Sequence, residues 1–169
     1  LENSSQSITS GLDQSAVTLD SLNIDQSFTG SLGTAAAGRF GIKTPILNIG
    51  YHNGPGTPAG SPSLYINLLT VASVITVSNT GTSADASLAP VRLYGSGTNT
   101  LTVIKGKVSF GVKSDDTTSK LTTVTVSYDT KVSTDADLFI GPGSATAITT
   151  LNVLGGDVYL DGKAVTTAN

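Results

Sequence analysis

Short apolar-polar-apolar units recur along this chain at a steady interval. Leu22-Asn23-Ile24, Leu47-Asn48-Ile49, Ile75-Thr76-Val77, Leu101-Thr102-Val103, Val124-Thr125-Val126 and Leu151-Asn152-Val153 each set a polar residue between two aliphatic ones. Their first residues fall at 22, 47, 75, 101, 124 and 151, so successive steps are 25, 28, 26, 23 and 27 residues. Alternation with period two puts both aliphatics on one face of a β-strand and the polar residue on the other. A repeat length in the twenties predicts a solenoid, in which each repeat is too small to bury its apolar face alone and stacks on the next. Several repeats carry a second short strand a few residues on, as in Val91-Arg92-Leu93, Val108-Ser109-Phe110 and Val158-Tyr159-Leu160. Turn signals separate the strands at Asn79-Thr80-Gly81, Tyr94-Gly95-Ser96-Gly97, Ser114-Asp115-Asp116 and Gly141-Pro142-Gly143.

Whether a helix fits each repeat decides the kind of solenoid. The frame of leucine-rich repeats is missing, and no window carries a helical stripe at i, i+3, i+4 and i+7. The pattern therefore predicts an all-β chain, a right-handed parallel β-helix of about six rungs, on the order of 30 Å long at the ~4.8 Å spacing of neighbouring strands. A β-sandwich is the alternative, since short strands at regular spacing suit it too. The open ends of a β-helix need covering. The small, polar stretch from Lys163 to Asn169 is expected to cover one, while residues 1–18, polar and without the repeat pattern, are expected to form an N-terminal arm or linker to a single domain over 19–169.

The repeats also bear on the chemistry of the stretch TLNVLGGDVYLDG, residues 150–162. Gly155-Gly156-Asp157 approaches the calcium-binding nonapeptide of β-rolls, but Val158 stands where its third glycine belongs. Residues 100–112, TLTVIKGKVSFGV, are a second copy of the same stretch and place Lys105 and Lys107 opposite Gly155 and Asp157. Calcium requires oxygen ligands, which lysines do not supply. The copies share alternation and a glycine, so no metal or other cofactor is expected.

Composition narrows the function classes further. Charged residues make up only 12% of the chain, Ser, Thr, Asn and Gly take their place, and mean hydropathy is +0.14. Such a mixture suits strands and turns. A net charge of −3 with scattered basic residues makes a nucleic-acid partner unexpected. Cysteine is absent, which removes disulfides and thiolate metal sites. The longest apolar stretch, residues 64–77, is shorter than the ~20 residues of a membrane helix and is interrupted by Asn67, Thr70 and Ser73. Aromatics at 5% do not furnish the girdles of an outer-membrane barrel, so no membrane partner is expected either.

Few residues invite a catalytic reading. Asp115-Asp116 and the pair Asp135 and Asp137 are the close carboxylate pairs, the arrangement that glycan-cleaving β-helices use as acid and base. The first lies in a polar run and reads as a solvated turn; the second leads into Leu138-Phe139-Ile140. His52 is the only histidine and cannot build a metal site alone. It stands in YHNGPGTPAGSP, residues 51–62, where no Gly-Lys-Ser/Thr grips phosphate. Tyr51, His52, Asn53, Pro55 and Pro58 make this segment a candidate contact loop between rungs, since prolines lower the ordering cost of binding. No catalytic residue is assigned.

Three stretches, NSSQSITSGLDQSAVTLDSLNIDQSFTGSLGT, NIGYHNGPGTPAGS and NTGTSADASLAPVRLYGSGTNTLTVIKGKVSFGV, in that order, resemble a group of tailed-bacteriophage proteins of β-helical type. The resemblance covers roughly residues 3–162 and is similar in kind to capsid decoration proteins whose β-helices are akin to tail spikes. It implies a non-enzymatic structural protein of the virion, a homotrimer on the outer capsid surface that decorates or cements contacts between copies of the major capsid protein. Members of the group tend to carry a further N-terminal segment. On this reading Ser4, Ser5, Gln6, Ile8 and Leu12 of the arm, with the 51–62 loop, are the candidate capsid contacts. A tail-spike or adhesin module that binds host surface glycan is the alternative.

Because the Gly155-Gly156-Asp157 stretch is matched by lysines in its own second copy, thermal unfolding with and without a strong chelator is expected to coincide. A melting temperature lower by many degrees in the chelator would assign the fold a structural metal.

Overall fold

The computed structural model describes residues 13–25, 28, 31–33, 39–50, 64–70, 72–78, 91–95, 97–104, 106–111, 120–127, 136–140, 148–155, 157–160 and 165–169. Among them no helix occurs, and none is long and apolar enough to cross a membrane. Fourteen strands do: β1 (Asp13–Thr18), β2 (Leu22–Ile24), β3 (Phe40–Lys43), β4 (Ile46–Ile49), β5 (Leu64–Leu68), β6 (Ala72–Val77), β7 (Val91–Gly95), β8 (Thr98–Val103), β9 (Gly106–Phe110), β10 (Leu121–Val126), β11 (Ala136–Ile140), β12 (Ile148–Val153), β13 (Asp157–Leu160) and β14 (Val165–Ala168). Odd-numbered strands form one seven-stranded sheet and even-numbered strands another, each in chain order. Every pairing is parallel, whereas the sandwich alternative is built from antiparallel sheets.

The six units read from the sequence lie in register across the even sheet. Leu22 pairs with Leu47, Leu47 with Ile75, Ile75 with Leu101, Leu101 with Val124, and Val124 with Leu151. A second column runs from Ile24 through Ile49, Val77, Val103 and Val126 to Val153. Parallel pairing without slippage sets like on like, so each aliphatic side chain covers the one beneath it. Leu47, Ile75, Leu101 and Val124 are fully buried as a result. Each such burial is worth about 1.5–3 kcal/mol relative to exposure. The odd sheet stacks likewise: Phe40 on Ile66, Ile66 on Leu93, Leu93 on Phe110. Inward residues of both sheets belong to one buried cluster.

Two expectations about the ends are corrected. Residues 13–18, assigned above to the arm, are the edge strand β1, paired with β3 through Asp13 to Gly41 and Gln14 to Ile42. Lys163 to Asn169, expected as an end cover, includes a seventh even strand, β14, in which Thr167 pairs with Thr150 and Ala168 with Leu151. Both escaped the repeat pattern because neither DQSAVT nor VTTA contains the aliphatic-polar-aliphatic unit. The fifty-residue copy noticed in the sequence is thus two repeats: Val108 of β9 and Val158 of β13 both pair with Leu138 of the intervening β11. Asp157 lies in strand β13, opposite Asp137, which in turn pairs with Lys107.

Polar side chains enter the interior where the chain bends into the even sheet. Thr44, just before β4, is fully buried, and its Oγ1 donates to the Ile46 carbonyl at 2.8 Å. Its carbonyl accepts from Thr70 Oγ1 at 3.0 Å and Ser73 Oγ at 2.8 Å, both from the following repeat. One strand later the position paired with Ser73 is Asn99, also fully buried. Asn99 Nδ2 lies within 3.0 Å of the Gly95, Gly97 and Lys120 carbonyls, its two hydrogens shared among the three. Beyond a bulge between Leu121 and Thr123 the column becomes apolar, with Leu121 and Ile148 fully buried. Gly95 makes the Asn99 corner fit: a Cβ there would meet Asn99 Nδ2 at 2.9 Å, Leu68 Cβ at 3.1 Å and the Leu68 carbonyl at 3.3 Å.

Val153 departs from the expectation that it shares the core column. It pairs with Val126 in register, but β14 ends opposite Leu151, no strand residue lies over Val153, and it is 39% exposed. Val126→Ala is accordingly expected to lower stability by roughly 1–3 kcal/mol through lost burial and a cavity, and Val153→Ala by less than about 1 kcal/mol, as read from denaturant midpoints. Gly95→Ala is expected to cost about 1–3 kcal/mol by overpacking against Leu68 and the Asn99 corner.

Candidate interaction surface

Strand parity that points aliphatics inward points ranks of side chains outward on the even sheet; beside a flanking set of exposed residues, Ala72, Thr98 and Lys120, three ranks run along most of its strands. The first rank runs Ile46, Val74, Thr100, Thr123, Thr150 and Thr167, each paired with the next. The second runs Asn23, Asn48, Thr76, Thr102, Thr125, Asn152 and, one residue past β14, Asn169. The third follows the strand ends. Gly50, Ser78, Ile104, Ser127 and Leu154 each donate a backbone N–H to the carbonyl of Ile24, Ile49, Val77, Val103 and Val126 respectively, at 2.8–2.9 Å. Asp25 begins that rank on the edge strand and is the one charged residue in the three ranks.

None of these outward residues is buried, and the face holds both polar order and apolar exposure. In the second rank Asn48 Nδ2 donates to Asn23 Oδ1 at 2.8 Å, Asn152 Nδ2 to Thr125 Oγ1 at 3.3 Å and Asn169 Nδ2 to Asn152 Oδ1 at 2.9 Å. Side chains bonded along the stack are held in place before any partner arrives. The flanking ranks carry Ile46, Val74, Ile104 and Leu154, the last two-thirds exposed at 69%. With Val153 these are the exposed large aliphatics among the described residues, and all five lie on or at the ends of even strands.

The odd sheet is different. Its outward positions at Gly41, Tyr65, Tyr94, Ser109 and Gly111 are buried. The Arg39 guanidinium lies 3.6 Å from the centroid of the Tyr94 ring, and that of Arg92 lies 5.1 Å from the centroid of Tyr65. Both are within the range of attraction between a cation and an aromatic face. Ser109 Oγ and Asn99 Oδ1 are buried with no hydrogen-bond partner among the described residues, a local cost of enclosing polar atoms.

The contacts expected from sequence, Ser4, Ser5, Gln6, Ile8, Leu12, Tyr51, His52, Asn53, Pro55 and Pro58, lie outside the described residues, as do Asp115, Asp116 and Asp135. The three-rank face was not singled out in advance, although its signal stood in the repeat: the polar residue at the centre of each apolar unit is the second rank. Comparison of the chain with protein-family models, with curated proteins and with solved structures gave no match.

Since the second rank faces outward, Thr102→Val should change stability by less than about 0.5 kcal/mol in either direction. A loss comparable to that expected for Val126→Ala would mean that Thr102 supports the interior.

Proposed function

We propose that this chain is a structural, non-enzymatic protein of a tailed-phage virion, seated on the outer capsid surface against the major capsid protein. The two sheets are then two walls of a right-handed parallel β-helix. A chain that leaves one sheet, adds a strand to the other and returns parallel makes the crossover that is right-handed in the great majority of proteins. Residues 1–12, ahead of β1, serve as the arm, and the 51–62 segment as a second capsid contact.

The observation that carries this reading is the even sheet's outer face. Its three ranks are regular and unburied and carry a single charge, that of Asp25. A face of that kind is suited to packing against another protein surface, because little charge has to be desolvated. The glycan-binding alternative draws less support, since sugar-binding sites use open aromatic faces. Tyr65 and Tyr94 are the tyrosines placed on the described outer faces; they are 9% and 1% exposed and each is attended by an arginine.

Quantitative mass spectrometry of purified virions that encode this chain is expected to find on the order of hundreds of copies per particle, as repeated lattice sites require. A handful of copies would assign it to the tail instead, and absence from the particle would overturn the virion role.

A further inference from the structure

We propose that the C-terminal end of the stack is a docking site for an extended segment of a partner protein, which joins the odd sheet as a further parallel strand beside β13 and places a basic residue opposite Asp157. The two ends of the stack are not alike. At the first even strand the core side chains are covered: Leu22, Ile24 and Phe28 are buried in one cluster. At the other end Val153, Leu154 and Ala168 are exposed, and Val158, Leu160 and Val165 are only partly buried against the core. β13 and β14 are the last strands of their sheets, and among the described residues no strand pairs with the outer edge of either. An edge of this kind offers backbone donors and acceptors to another chain. Here it lies beside aliphatic side chains that a further strand would cover.

Charge selects the strand that fits. In the odd sheet β11 and β13 repeat one pattern, Asp137-Leu138-Phe139-Ile140 and Asp157-Val158-Tyr159-Leu160, paired residue for residue. On its other side β11 meets β9, whose Lys107, Val108, Ser109 and Phe110 pair with the same four residues. Asp137 therefore has a lysine opposite on one side and Asp157 on the other. Opposite charges on neighbouring strands stabilise a sheet, and like charges directly opposite destabilise it. Among the described residues Asp157 has only that like-charged strand neighbour. A strand with the β9 pattern, a basic residue followed by two apolar ones in alternation, supplies the counter-charge and sets apolar residues along Val158 and Leu160. Main-chain hydrogen bonds to β13 then give affinity, and these three positions give specificity. A second copy of the chain does not fit. Stacked head to tail it brings β1, DQSAVT, and end to end it brings DVYL or VTTA; none of these contains a basic residue.

This docking site goes beyond the virion reading and is tested on the purified chain alone, so either can fail without the other. The probe is a fluorescein-labelled peptide with the chain's own residues 104–111, IKGKVSFG, which contains β9. Its fluorescence anisotropy should rise saturably on titration with the protein, and hydrogen exchange should show new protection in Asp157–Leu160. Lys107→Glu in the peptide should weaken binding roughly fivefold, and Asp157→Lys in the protein should reverse the order of the two peptides. Absence of binding, binding indifferent to both charge changes, or protection confined to other strands would overturn the proposal. Protection of the β13 amides that rises with protein concentration in the absence of peptide would overturn it too, because the edge then belongs to a second copy. If Asp157→Lys does not fold, Asp157→Asn provides the comparison: the preference for the lysine peptide should disappear, and its persistence would count against the site.

Discussion

In-register stacking of like side chains is the constraint from which the rest of this structure follows. No single repeat has enough apolar surface to hold two short strands in place. Leu101 is shielded because Ile75 and Val124 lie on either side in the same column, and each of these depends on its own neighbour in turn. Repeat lengths vary from 23 to 28 residues without disturbing the columns of the six units, the variation being absorbed between strands and, in β10, by the bulge between Leu121 and Thr123. A slip of one residue in any even strand would turn its aliphatics outward and its Asn or Thr into the core. That penalty repeats in each strand and holds the register along both sheets.

Stacking leaves the bends to be solved, because backbone groups leaving a parallel ladder need partners. The chain uses polar side chains of the next repeat: Thr70 and Ser73 hold the Thr44 carbonyl, and Asn99 holds three carbonyls at once. These corners occupy one column, in which Ser73 and Asn99 give way to Leu121 and Ile148. That column therefore changes character along the stack, polar and hydrogen-bonded at Ser73 and Asn99 and aliphatic at Leu121 and Ile148, while the columns beside it are aliphatic throughout. Asn99 sits at the change, next to the bulge, where Thr122 Oγ1 also bonds its carbonyl at 3.2 Å.

The two sheets share a core but not an exterior. One has Tyr65 and Tyr94 covered with an arginine lying over each; the other leaves three ordered ranks open, with Asp25 their one charge. The proposed structural role in a virion draws on that difference directly. A stacked scaffold gives a long surface whose residues are spaced by the backbone itself, so contacts made by one repeat are repeated by the next, and a partner is met by an array instead of by a few isolated anchors.

The repeat, the all-β class and the inward aliphatic columns were legible in the sequence because each unit carries its own parity: two aliphatics flanking a polar residue allow only one side to be buried. The same parity contained the second outward rank. Strands β1 and β14 were not legible, since neither carries the aliphatic-polar-aliphatic unit, and Val153 carries the same unit as Val126 but is left 39% exposed by what lies beside it. Which sheet would be covered on its outside and which left open was decided by tertiary structure alone. Tyr65, Tyr94 and Ser109 occupy outward positions in their strands just as Thr76 and Thr102 do. Alternation says which side of a strand a residue takes; only the folded chain determines what lies against that side.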